Sequence, residues 1–126
     1  MKGDNISQRL LAFAAAALRV AAHLSKSPEG RHVAKQLIRA ATASGANYEE
    51  ARGAESRPDF VHKIKVSGKE MRESHFWLRL TQHAQLAKGL DIAPIIQEAH
   101  ELVAILTTSA KTAKSRQSTT SGKTGN

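Results

Sequence analysis

Cysteine is absent from the 126 residues, which excludes disulfides and thiolate metal sites and suits a reducing compartment, so cytoplasm is the expected location. Long apolar runs are lacking too. The longest, LLAFAAAAL at 10–18, is broken by Arg19 and His23 and falls well short of the roughly 20 residues a membrane span needs. No polar, small-residue cleavage region follows that run, so neither a signal peptide nor a membrane association is expected. Repeats at solenoid periods are missing, and one domain is expected. Strands are unsupported, because β-branched alternation bounded by turn dipeptides occurs nowhere. The glycines at 3, 30, 45, 53, 68 and 89 are scattered, and no phosphate-cradling loop can be built from them.

What the chain has is positive charge: 19 Lys and Arg against 11 Asp and Glu, a formal net charge of +8. Residues 111–126 carry Lys111, Lys114, Arg116 and Lys123 without an acid. Half the excess therefore lies at the C-terminal end, and a basic chain of this kind is predisposed toward polyanions.

Helical periodicity is the second positive signal. Ile6, Leu10, Phe13, Ala17, Val20 and Leu24 follow one another at steps of four and three, the seam of a helix lying nearly parallel to its neighbour. Ser27 before Pro28 reads as an N-cap and first helical position. From there Val33, Leu37, Ala40, Ser44, Asn47 and Ala51 carry the rhythm to Gly53. Ser56 with Asp59, and Pro58 between them, resembles a capping box. The helix it opens has Phe60, Ile64, Ser67, Met71, Ser74 and Leu78 along one seam, and Gly89 is the expected C′ residue. Asp91 can cap a fourth helix, where Ile92, Ile96, Ala99, Val103, Leu106 and Ala110 form the seam and Ile95, Leu102 and Ile105 widen it; Pro94 is tolerated in the first turn. The spacing thus predicts helices at about 5–25, 28–53, 57–88 and 91–114. Short loops between them favour an all-α, up-down-up-down four-helix bundle over residues 1–114. Residues 115–126 offer nothing apolar to bury, and a disordered basic tail is expected.

The middle of the second helix, RAATASGANYEEARG at 39–53, is almost free of bulky apolar side chains. Ala, Ser and Gly on a seam let the facing helix approach to the short end of the usual range of about 8–10 Å. Asn47 falls on that seam, where a buried amide must find partners or cost about 1–3 kcal/mol. Two readings stand: a structural core polar group that fixes helix register, or a ligand contact.

The residues Gln36, Leu37, Arg39, Ala40, Ala41, Ala46, Asn47, Glu50, Gly53, Ser56, Asp59 and Phe60, continued by Glu73 and Leu78, resemble the pattern of the 23S rRNA intervening-sequence protein family. The likeness covers about residues 8–112, and the ungapped stretch from Asn47 to Phe60 carries its specificity. Two positions depart from the pattern: Glu50-Ala51 stands where the family has Glu-Gly, and Tyr48 replaces the usual apolar residue. The resemblance implies a left-handed four-helix bundle that forms homo-oligomers, ring-shaped pentamers among them. It also implies kinship with the accessory variability determinant of diversity-generating retroelements, a basic bundle that associates with RNA or DNA and with a reverse transcriptase.

Helix three carries the sharpest candidate site. His62, Lys65, Lys69, Arg72, Phe76, Arg79 and His83 step by three and four and so share one face, opposite the Phe60 to Leu78 seam. At 1.5 Å per residue that face spans roughly 30 Å, enough to meet several phosphates, and Phe76 amid cations suits stacking on an unpaired base. The other reading is a solvated basic face, with Phe76 at a subunit contact. Arg52 and Arg57 either extend this patch or pair with Glu49, Glu50 and Glu55. A second apolar line, Val66, Trp77, Leu80 and Ala84, is either an oligomer interface anchored by Trp77 or the edge of a wide core stripe.

Enzyme chemistry finds no support. A bundle di-metal site needs Glu-x-x-His on two helices and a Glu from each of the other two, whereas Asp59-x-x-His62 sits at a helix start with Asp in place of Glu, and His100 and Glu101 are adjacent and diverge. Ser67 and Ser74 lie on a seam with no His predictably beside them. The expectation is a non-enzymatic binding module without catalytic residues, metal or cofactor, with nucleic acid as its leading partner; the alternative is an adaptor for another protein.

Overall fold

A computed structural model describes the backbone of residues 2–124 and the side chains of residues 3–116. Helices α1 (Lys2–Leu24), α2 (Pro28–Arg52), α3 (Arg57–His83) and α4 (Ala93–Thr124) follow one another. Each packs against the next, and α4 returns to touch α1; among the described residues neither diagonal pair is in contact. This is the all-α, up-down-up-down bundle that short loops favour. The expected disordered tail, 115–126, falls on residues whose side chains, from 117 onward, lie outside the described ones.

The ends of the helices show why the chain turns where it does. Ser27 accepts a hydrogen bond from the Gly30 amide at 3.0 Å, and Ser56 accepts one from the Asp59 amide at 3.2 Å. Both satisfy donors that a helix start leaves unpaired, with Pro28 and Pro58 in the first turns. Asp91 does the same for the Ala93 amide at 3.0 Å. Gly30 is buried under the end of α1, so close that a Cβ there would lie 1.8 Å from the Leu24 carbonyl oxygen.

The third helix ends earlier than its sequence predicts, at His83 rather than near residue 88. The Leu86 amide bonds back to Thr81 at 3.0 Å and the Gln85 amide to Gln82 at 3.2 Å. Those two bonds make a Schellman motif, with Gln85 at φ 55° in the position glycine usually takes. Gly89, expected to be that residue, lies instead in the following loop at φ 83°. Leu86, Ala87 and Leu90 then pack against the core from non-helical backbone.

Inside the bundle, Leu10, Phe13, Leu24, Leu37, Ile64, Met71, Leu78, Leu102 and Leu106 are fully buried, each such burial contributing about 1.5–3 kcal/mol. On α4 the buried line is Ile95, Ala99, Leu102, Leu106, Ala110 and Ala113, and Ile96 and Val103, read as seam positions, are only half-buried.

Small residues mark the α2–α3 contact. Ser44 and Ser67 are wholly buried and exchange hydrogen bonds across the two helices: the Ser44 hydroxyl donates to the Ser67 carbonyl at 2.9 Å and the Ser67 hydroxyl to the Ser44 carbonyl at 2.7 Å. A bulky side chain on either helix would hold the backbones too far apart for this exchange. The register-fixing polar group is therefore this serine pair and not Asn47. Asn47 is half-buried, and its amide donates to Ala43 within its own helix at 2.8 Å. The buried position in that turn belongs to Tyr48, whose hydroxyl donates to the Gly3 carbonyl at 3.4 Å.

Candidate nucleic-acid interface

Because Ile64, Ser67, Met71, Ser74 and Leu78 turn inward, the opposite face of α3 turns out. His62, Lys65, Lys69, Arg72, Phe76, Arg79 and His83 are all exposed. Phe76 is 52 % exposed and meets Trp77 edge to face, the ring centroids 5.1 Å apart.

The acids lie elsewhere. Arg9 of α1 holds Glu98 at 2.6 Å and Glu101 at 3.3 Å. Arg39 of α2 holds Glu70 at 3.0 Å and Glu73 at 2.5 Å, and this pairing, ahead of a bond from Trp77, keeps the Glu73 carboxyl below its ordinary range. Arg52 pairs with Asp4 and with Glu49, and Lys63 with Glu50 at 3.2 Å. Four cations thus engage seven of the 11 acids in the sequence. Glu73, one turn from Lys69, forms its ion pair with Arg39, and the Lys69 charge acts on it only as a weaker influence. Among the described residues no carboxylate forms an ion pair with Lys65, Lys69, Arg72 or Arg79. Arg52 and Arg57 do not extend the face: Arg52 is held as above, and Arg57 lies 6.0 Å from the centroid of the Phe60 ring.

The face is half of a larger feature that sequence reasoning missed. Lys65, Lys69 and Arg72 of α3 and Lys111 and Lys114 of α4 line a groove of about 510 Å³ with Ile64, Gly68, Leu106 and Ala110 among its other walls. Lys111 and Lys114 are three residues apart, so they share a helix face. That spacing was the available signal, but which neighbour the face meets is a tertiary fact. A second groove of about 420 Å³ continues along the same helix pair, lined by His75, Arg79, Gln82, His83, Ile96, Gln97 and His100. The His75 and His100 rings are 5.9 Å apart. Burial first, then the Arg79 guanidinium and His100, hold the His75 imidazole below its usual range.

The second apolar line of α3 is less uniform than its spacing suggests. Trp77 is half-buried against the core, donates to Glu73 at 3.3 Å and meets His32 of α2 edge to face. Val66 is half-buried, and Leu80 is 36 % exposed. The most exposed aliphatic side chains lie on other helices: Leu11 at 66 %, Leu18 at 46 % and Ile38 at 38 %. Among the described residues no group of three or more His, Asp or Glu could hold a metal ion, and no helix is long and apolar enough to cross a membrane.

Fold and site together define a class: an all-α four-helix bundle with a cation-lined groove between its last two helices. Residues 4–108 match the model of the 23S rRNA-intervening sequence protein family, and the chain belongs to that family. A similar solved structure is a protein of unknown function from the S23 ribosomal protein family of Bacteroides thetaiotaomicron. It is 28 % identical, with a TM-score of 0.79 over 88 % of this chain and 99 % of that one. No protein with a curated description matches the sequence.

Proposed function

We propose that the chain is a non-enzymatic, homo-oligomeric helical-bundle module that binds nucleic acid through the groove between α3 and α4. One observation carries this reading: five cations from two helices converge on a groove with an apolar floor, while the acids that could neutralise them are held by Arg9, Arg39, Arg52 and Lys63. Phosphates fit the rims, and their neutralisation releases counterions. Apolar walls and the exposed Phe76 ring offer surfaces for bases. His62, at the start of the same face, and Arg79, toward its end, lengthen the contact. The family's description names 23S rRNA, which makes RNA the first probe.

The test is a fluorescence titration of a labelled single-stranded RNA, and of its DNA counterpart, at several salt concentrations. Binding should weaken steeply with salt, and reversing Lys65, Lys69 and Arg72 to Glu should abolish it while the circular dichroism spectrum is unchanged. Absence of binding at low salt overturns the reading.

A second reading has its own support. Leu11, Leu18 and Ile38 present apolar surface on α1 and α2, and Leu80 does so beside Trp77, as a protein-binding adaptor or a self-associating bundle would. In the self-associating form Val66, Trp77 and Leu80 lie at the subunit contact, in rings as large as pentamers. Native mass spectrometry separates the two: a monomer leaves the adaptor.

A further inference from the structure

The cationic groove does not stop at Arg72. One turn on along α3, and further toward the start of α4, the walls become His75, Arg79, His83 and His100. Three imidazoles around one guanidinium are an unusual lining for an exposed groove, because histidine is the side chain whose charge changes between about pH 5 and 8. Lysine and arginine, which line the first groove, are side-chain types whose ordinary titration lies far above that range. Along one helix pair, a stretch lined by lysine and arginine is thus followed by one lined by histidine around a single arginine.

We propose that the groove at His75, Arg79, His83 and His100 is a proton-gated anion subsite, which seats a further phosphate of the bound strand when its imidazoles are protonated. The proposal rests on the nucleic-acid reading above and deepens it.

The neighbourhood supports a gate rather than a permanent cation cluster. On α3, Arg72 and Arg79 flank His75 a turn to either side. Across the groove on α4 stand His100 and the uncharged Gln97. The α4 acids that could have stabilised imidazolium are turned away: Glu98 is held by Arg9, and Glu101 accepts from both Arg9 and Gln97, the latter at 3.2 Å. On α2, which packs against the other flank of α3, His32 lies against Trp77 and Arg39 is taken up by Glu70 and Glu73. The groups that hold His75 below the usual imidazole range, Arg79 and His100 after burial itself, are those a phosphate would neutralise. An anion seated among them reverses the sign of the local field, so its binding and proton uptake reinforce each other. Without an anion, the lowered imidazole leaves the subsite uncharged at His75 at neutral pH.

The experiment uses the full chain and a fluorescein-labelled single-stranded RNA 12-mer at fixed salt. Between pH 7.5 and 5.5 the Kd should fall about three- to tenfold, and the slope of log K against log salt should steepen by about one. The His75→Gln, His100→Gln double variant should lose most of this pH ratio, while His23→Gln, on exposed α1 surface, should keep it. An equal ratio in the double variant and the wild type overturns the proposal. Should the wild type not bind the 12-mer at pH 7.5 and low salt, the module reading fails separately. The subsite is then read with inorganic tripolyphosphate at pH 5.5, by NMR of the imidazole resonances. Shifts centred on His75 and His100 sustain it, and unmoved resonances overturn it.

Discussion

Ser44 and Ser67 set how closely α2 and α3 can run. Each hydroxyl donates to the other residue's carbonyl, so removing one leaves the other bond in place and creates a void no larger than an oxygen atom. Ser44→Ala should therefore cost about 1 kcal/mol, whereas Ser44→Leu, which forces the helices apart, should cost about 1–3 kcal/mol or more; the urea midpoint reads both. Two glycines make a sharper contrast. Gly30→Ala places a methyl against the Leu24 carbonyl, and the turn from α1 to α2 has to open, so the loss should exceed about 2 kcal/mol. At Gly68 the nearest atom to an added Cβ is that of Leu106 at 3.5 Å, an ordinary contact. Gly68→Ala should stabilise α3 by up to about 1 kcal/mol. A loss at Gly68 equal to that at Gly30 would show that the α3–α4 approach is tighter than these distances give. Asn47 belongs to this scale as well. From Ser44 the next seam position is three or four residues on, and spacing alone allows either; the helix buries Tyr48, whose ring reaches α1, and leaves the amide to its own turn.

At the level of the element, the end of α3 separates what was legible from what was not. The seams of α1 and α2 could be read because apolar residues recur at helical spacing over more than five turns. The buried sets Ile6 to Leu24 and Val33 to Ala51, apart from Asn47, follow them. The stop at His83 was not legible. Ala84, Gln85, Leu86 and Ala87 all favour helix, Gly89 offers the usual C′ residue, and only the packing of Leu86, Ala87 and Leu90 on the core overrides those preferences. Gln85 carries the cost, since a side chain in the left-handed region is disfavoured by about 1–2 kcal/mol. Gln85→Gly should recover part of it, raising stability by about 0.5–1 kcal/mol, with the gain seen in thermal melting and no change in helicity. A loss would mean that the Gln85 side chain makes a contact worth more than the strain. The α4 seam was displaced for a related reason. Ile92, Ile95 and Ile96 supply two overlapping apolar lines, and the position of α3 and α1 decides which one faces inward.

Charge is distributed unevenly over the whole molecule, and this is where function and stability pull apart. Half of the candidate site could be read from α3 alone, since seven residues at steps of three and four need only a helix to share a face. The other half could not, because Lys111 and Lys114 join it only through the way α4 docks. In the folded bundle the α1–α4 and α2–α3 seams carry paired acids, and the α3–α4 groove collects cations that form no ion pair with a carboxylate among the described residues. Like charges gathered without partners repel, at a few tenths of a kcal/mol per neighbouring pair on exposed helices. A groove kept for packing alone would not carry that cost. Replacing Lys69 and Lys111 together with Gln should therefore raise the melting temperature at low ionic strength, by about 0.5–1 kcal/mol in stability. The gain should shrink as salt screens the groove over a Debye length of about 10 Å at 0.1 M. The same double variant should bind single-stranded RNA more weakly and with a shallower salt slope, by about 1.4 for the two phosphate contacts removed. Opposite movement of stability and affinity is the signature of side chains retained for a ligand. If the melting temperature falls instead at every salt concentration, Lys69 and Lys111 hold the bundle together and the groove is not a site for polyanions.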